Sequence, residues 1–414
     1  MSASLESLEV NGKKIDIIYE KDTSLPIVYM KLVFKGGGYI SDGTKVSLSK
    51  FTAKILGDGT KTLGGVKFAE KLEERAIKFS ISSGFETSTI DISSLKEQFD
   101  FSVDSVVELL NEPNFTKSAF EKTQAALIAS SMKKEDDFDY VADSLLKHEL
   151  FEGTPMASDG LGNRDDIKKI TLDDSVDFFK AHYGVENLAV VIGGDIELDE
   201  AKKEIAKFIK VLAQGKPFAE QTFETKKITK DEVVYKDTKQ AFVYFGSPFH
   251  LRVGDKDTYK VRVASFILGS SGFGSRLMEE IRVKNGLAYS VYSRHNLNKT
   301  NSYFSGYLQT KLDNEQKAKE LVRKVIDDFV KKGATEKELE GAKKFILGSE
   351  PLRNETLSQR LSRSFNEYYL GQGLGYSEKE LDSISKLTLV ELNSFIKAHP
   401  EIAEIGFAIV TKKK

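Results

Sequence analysis

Within the stretch Gly269 to Tyr292 of this 414-residue chain, Arg282 and Tyr289 are two residues whose types and spacing could do chemistry. A guanidinium offers a planar set of five N–H donors and a phenol adds an O–H, so together they can grip a peptide carbonyl or a developing oxyanion. The stretch that carries them reads in three pieces. Gly269, Gly272 and Gly274 open a flexible loop, Ser275 offers an N-cap, and Arg276 to Lys284 follow with helical spacing. Asn285-Gly286 closes that helix, and Leu287 to Ser293 alternates as a strand. Helical spacing sets Arg282 near Met278, beside the Leu277/Ile281 ridge, with Tyr289 just past the turn. A solvated helix arginine and a core tyrosine, sharing a strand face with Val291, would leave the same pattern, so spacing alone keeps both readings open.

The elements that position this pair must come from more than one domain's worth of chain. A length of 414 residues with 40% hydrophobic content supports sizeable cores. Lys and Arg number 61 against 63 Asp and Glu, and no segment is basic enough for nucleic acid. Cysteine is absent, which excludes disulfides and thiolate metal sites. No apolar run reaches membrane-spanning length and the N-terminus lacks a signal-peptide core, so the chain reads as soluble: periplasmic if a signal peptide has been removed, otherwise cytoplasmic.

The plan emerges from a repeat. Ile17 to Thr23 with Val28-Tyr29 returns as Val233 to Thr238 with Val243-Tyr244; Asp22 against Asp237 and Val28 against Val243 both give an offset of 215. Thr171-Leu172 with Phe178 and Lys180-Ala-His182 returns as Thr388-Leu389 with Phe395 and Lys397-Ala-His399, an offset of 217. Two tandem homologous domains follow, residues 1–212 and 229–414, joined by the turn-rich linker 213–228. Strands and helices segregate in blocks, which predicts an α+β fold: in each domain a mixed or antiparallel sheet with helices on one face, the two domains facing each other across the linker. Gly36-Gly-Gly38 reads as a strand-to-helix turn, and the charge runs at 133–137 and 412–414 as solvated surface.

With this plan, Ser275 to Arg282 and Gly286 to Tyr292 resemble the C-terminal domain of the zinc peptidase family that includes insulin-degrading enzyme, pitrilysin and the mitochondrial processing peptidases. Gly57-Asp-Gly-Thr60 with Phe68 to Leu72, Asn111 to Phe115, Glu135 to Asp137 and Asn187 to Asp195 extend the resemblance over nearly the whole chain, in its short two-domain bacterial form. In active members, the resemblance implies, a helix in the first half carries His-x-x-Glu-His for zinc and a later helix adds a glutamate. Anchored on Gly59-Thr60, those positions here read Lys50, Ala53 and Lys54, and the later acidic pair reads Ile128-Ala129. Two ammonium groups on one helix face repel a dication, and the five histidines are too scattered to replace the ligands, so this chain is expected to bind no metal or cofactor.

The second half departs less. Arg282 and Tyr289 match the family's arginine-tyrosine pair, which reaches the peptide at the zinc. Gly269, Gly272 and Gly274 match a glycine-rich loop of non-catalytic processing-peptidase subunits. Ser80, Ile81 and Ser82, within Phe79 to Ser83, match the edge strand that holds extended peptide. The resemblance therefore implies the non-catalytic subunit of a heterodimeric endopeptidase, lending Arg282 and Tyr289 to a zinc-bearing homologous partner and binding unstructured peptides. The alternative is a non-enzymatic peptide-binding or scaffolding protein of the same fold.

Overall fold

The structure, a computed structural model, describes residues 3–10 and 12–413. Among these residues eleven strands form two sheets. The first holds β1 (Ser4–Val10), β2 (Lys13–Lys21), β3 (Ile27–Lys35), β4 (Lys78–Ser83), β5 (Thr87–Leu95) and β6 (Leu188–Gly194), in the order β1-β2-β6-β3-β5-β4. The second holds β7 (Glu232–Tyr235), β8 (Gln240–Pro248), β9 (Ala288–Leu297), β10 (Ser302–Lys311) and β11 (Gly406–Thr411), in the order β7-β11-β8-β10-β9. With β1 set aside, the two orders are the same. The parallel pair recurs too, β2 with β6 and β7 with β11, every other pairing being antiparallel. The sequence repeat is therefore a repeat of topology, and the α+β class with mixed sheets holds.

Helices α1 (Leu48–Leu56), α2 (Gly64–Glu73), α3 (Phe99–Asn111), α4 (Lys117–Lys134), α5 (Phe138–Phe151), α6 (Arg164–Lys168), α7 (Leu172–His182) and α8 (Leu198–Val211) come from the first half. The second supplies α9 (Thr258–Ser265), α10 (Glu315–Lys332), α11 (Glu336–Gly348), α12 (Leu357–Tyr369), α13 (Tyr376–Lys386) and α14 (Leu389–Ala398). Repeat-related α7 and α14 start alike, with Thr171 and Thr388 in capping boxes that satisfy the first free N–H groups. Alternation builds the strands: Ala241, Val243 and Phe245 of β8 are fully buried against the helices, together with Phe304, Leu308 and Phe407. No described helix is long and apolar enough to cross a membrane.

The compact units do not follow the repeat boundary. One comprises Met1–Lys133, Ser158–Glu220 and Arg353–Asn366; the other comprises Lys134–Ala157, Gln221–Leu352 and Glu367–Lys414. The expected linker 213–228 carries neither helix nor strand, but the chain passes between units at four further points. In the second unit, α5 packs on β8 and β11: Phe138 meets Phe242 edge-on at 5.7 Å, and a Cβ at Gly246 would sit 3.0 Å from Leu150. In the first unit, Arg360 of α12 donates to Glu20 at 2.6 Å and to Asp22 at 2.5 Å, and Leu361 rests on Gly193. At the 217-residue offset, Leu357–Tyr369 corresponds to 140–152, overlapping α5, so the repeats exchange equivalent helices. The exchanged helices lie over the face opposite the main helical layer, and β6 and β11 are buried along their whole length.

Candidate functional site

Arg282 stands on an irregular helix. The expected α-helix from Arg276 to Lys284 is α-helical only at Arg276 and Leu277; Met278–Lys284 is a π-helix. Leu277, Met278 and Ile281 all point into the core, at 0%, 5% and 0% exposure, and the widened turn leaves carbonyls without their usual partners. Asn285 takes one of these, its side-chain amide donating to the Glu280 carbonyl at 2.7 Å, and the Gly286 N–H donates to the Arg282 carbonyl. Ser275 starts the helix as expected, accepting from the Met278 N–H while donating to the Gly272 carbonyl.

The element is moored by Arg276. Its guanidinium grips both Glu338 oxygens at 2.6 and 2.7 Å, donates to the Gly333 carbonyl at the end of α10, and lies 5.0 Å over the Phe329 ring. Burial pushes the Glu338 carboxyl up, but Arg276 and Thr335 pull it further down, and the net position is below its ordinary range.

Tyr289 is placed by a second irregularity. In the β9–β10 ladder Leu308 faces Val291 while Thr310 faces Ala288, so β9 carries one extra residue there. That bulge turns Tyr289 outward, 78% exposed, although Val291 is 1% exposed; the core-tyrosine reading fails for this reason. The Arg282 guanidinium carbon lies 4.8 Å from the Tyr289 ring centroid and 4.8 Å from that of Phe273. Among the described residues its N–H groups meet no acceptor. Arg282 and Tyr289 are thus together, and Phe273, which sequence reasoning passed over, joins them.

The glycines divide. Gly269 lies not in a loop but in a second π-helix, Phe266–Ser270, where a Cβ would come within 2.7 Å of the Ser293 backbone nitrogen, so its part is close packing of helix on strand. Gly272 and Gly274, with φ of +70° and +92°, bracket Phe273 in the exposed turn.

In the first unit, β4 is the edge strand, paired with β5 alone among the described residues. Ser80 and Ser82 are exposed and Ile81 half-buried, while Phe79 packs on Phe68 of α2. An edge of this kind offers backbone groups to an added strand.

Zinc does not fit the residues at the degenerate positions. Lys50 of α1 donates its Nζ to the Asp159 carbonyl at 2.9 Å, Ala53 is buried, and Lys54 is exposed. On α4, which meets α1 through Phe120 and Phe51 at 4.9 Å, Ile128 is half-buried and Ala129 exposed. None of the five side chains offers a metal a lone pair. Asp42 caps this helix instead, accepting from the Ser47 and Ser49 N–H groups; burial pushes its carboxyl up to about 7 against the pull of those donors. Elsewhere among the described residues, Asp100, Asp104 and Glu204 converge, but Lys207 is ion-paired with all three.

The chain has relatives among known proteins. A family model described as "Insulinase (Peptidase family M16)" matches residues 16–163, and one described as "Peptidase M16 inactive domain" matches 169–346. A Helicobacter pylori protein named "Non-peptidase homolog YmxG" is 46% identical over 413 residues, covering 100% of this chain and 95% of its own. The chain belongs to peptidase family M16. A second relative, from Bacillus subtilis and named "Uncharacterized zinc protease YmxG", is 25% identical over 83% of both chains. The solved "peptidase M16 inactive domain" from Pseudomonas fluorescens superposes with a TM-score of 0.91 at 21% identity, over 99% of this chain and 98% of that one. That likeness extends the M16 fold to both repeats.

Proposed function

We propose that this chain is the non-catalytic subunit of a two-chain zinc endopeptidase, holding extended peptide and lending Arg282 and Tyr289 to the zinc site of a homologous M16 partner. One observation carries the reading: a guanidinium with five donors, stacked on exposed rings, has no acceptor among the described residues. A structural arginine is normally filled, as Arg276 is. The degenerate α1 face supports assigning the metal to the partner, whose zinc would polarise the scissile carbonyl while Arg282 and Tyr289 donate to its oxygen. The name "non-peptidase homolog" given to the Helicobacter relative agrees with a chain that does not cut alone.

The test mixes the purified chain with a zinc-bearing homologue from the same cell and follows cleavage of a quenched unstructured peptide. Cleavage appearing only in the mixture, and falling about a hundred-fold or more with Arg282→Ala, is the expected result, as for loss of an oxyanion donor. No complex, or cleavage no better than the homologue alone, overturns it. A second reading, a peptide-binding or scaffolding protein with no enzymatic partner, rests on the open β4 edge; it expects peptide binding with no effect of Arg282 on any peptidase.

A further inference from the structure

We infer that Phe273 is a positioning residue of the Arg282 site, and that the two rings together turn Arg282 into a fork for a carboxylate on the bound peptide. This rests on the reading that peptide is held at Arg282.

Phe273 is 69% exposed at the tip of a turn between two π-helices, an unusual place for a phenyl ring. On either side are glycines at φ +70° and +92°, around whose would-be Cβ atoms nothing lies within 4 Å. The ring therefore rides on two permissive joints, and its resting place is against the Arg282 guanidinium, 4.8 Å from centroid to carbon. Tyr289 lies at the same distance, and the two rings do not touch each other. With ring faces taking up the guanidinium's faces, what remains is its rim of N–H donors.

The same unit contains this arrangement in completed form. Arg276, one and a half turns earlier, also lies over a phenyl ring, Phe329 at 5.0 Å, and its rim is filled by the Glu338 carboxylate in two-point contact at 2.6 and 2.7 Å. At Arg282 the ring partners are present and the carboxylate is missing. The nearby Glu280 does not supply it, being paired with Lys284 at 2.5 Å. A planar two-oxygen acceptor from outside completes the set. In a peptide that group is an acidic side chain or the free C-terminus.

The experiment uses the full chain and labelled extended peptides in matched forms: free C-terminus against amide, and internal Glu against Gln, each followed by anisotropy. The chain has no tryptophan, so Phe273→Trp installs a single tryptophan at the clamp, excited selectively at about 295 nm over the tyrosines. The expected result is tighter binding of one carboxylate form, an affinity about five-fold weaker in Phe273→Ala with that preference lost, and retention of both in Phe273→Trp, with an emission change on binding. The preferred form identifies the source of the carboxylate. If peptides bind through Arg282 but Phe273→Ala leaves affinity and preference intact, or no form is preferred, the inference falls and the peptide-holding reading stands. If Arg282→Ala binds as well as the native chain, or the native chain binds nothing, both fall.

Discussion

Replacing Arg276 by Ala is the sharpest probe of how the site is held. Its guanidinium makes two bonds to Glu338 and one to the Gly333 carbonyl, and covers the Phe329 ring. Charge-assisted bonds in a buried setting contribute about 1.5–3 kcal/mol each, but these side chains are 19% and 26% exposed, and solvent screening lowers the total to about 2–3 kcal/mol. Glu338 keeps its bonds to Thr335, so the orphaned carboxylate is not fully stranded. Urea unfolding of Arg276→Ala, Glu338→Gln and the double variant forms a cycle in which the coupling should reach about 1–2 kcal/mol. The acid dependence has a definite sign: a depressed carboxyl contributes stability above its unfolded pKa, near 4.3, and loses it as pH falls through its lower folded value. The coupling should therefore be constant from neutral pH to about 5 and shrink below 4. A loss under about 0.5 kcal/mol for Arg276→Ala, or coupling unchanged at pH 3, would refute the view that this ion pair moors the π-helix bearing Arg282.

Two further outcomes follow. Dialysis of the native chain against chelator should change neither its melting temperature nor its metal content, and a zinc-dependent rise in melting temperature abolished by Lys50→Ala would contradict the reading of the α1 face. His295, meeting Phe249 edge-on and Phe304 at a tilt and sharing a hydrogen bond with Ser265 at 2.6 Å, is pushed down to about 3, first by burial and then by His399. A depressed histidine favours folding while neutral, so stability should drop as pH falls from 6.5 towards 3, by on the order of 2 kcal/mol at pH 5; His295→Phe should flatten that slope in urea titrations at pH 5 and 7.

Much of this was legible because it is periodic. The 215–217 offset foretold the shared strand order, while the seven-residue interval of Arg282 and Tyr289 left two readings open and the family resemblance singled the pair out. What escaped was aperiodic or relational. The β9 bulge is one residue in a ten-residue strand and leaves no mark on alternation, yet it decides whether Tyr289 faces solvent. The π-turns leave no mark on the apolar spacing, which an ordinary α-helix would share. Strand β1 went unread beside the stronger β2, and α8, having no repeat partner, gained nothing from the comparison of halves. Nor does an amphipathic helix state which sheet it will cover, so the exchange of α5 and α12 was invisible, and Phe273 passed as loop.

That exchange governs how the chain is born. The main body of the first unit has been synthesised by Glu220, but its last piece, Arg353–Asn366, is complete only 146 residues later (366 minus 220). At roughly 5–20 residues per second, about 7–30 s pass in which the site that α12 will cover lies bare and Glu20 lacks Arg360. Through that interval the sheet that α5 covers stays incomplete, since β8 is made early in it but β11 comes only after α12. Folding during synthesis therefore cannot close the first unit until most of the second has been made, and the nascent chain presents a half-covered sheet to whatever chaperones attend it.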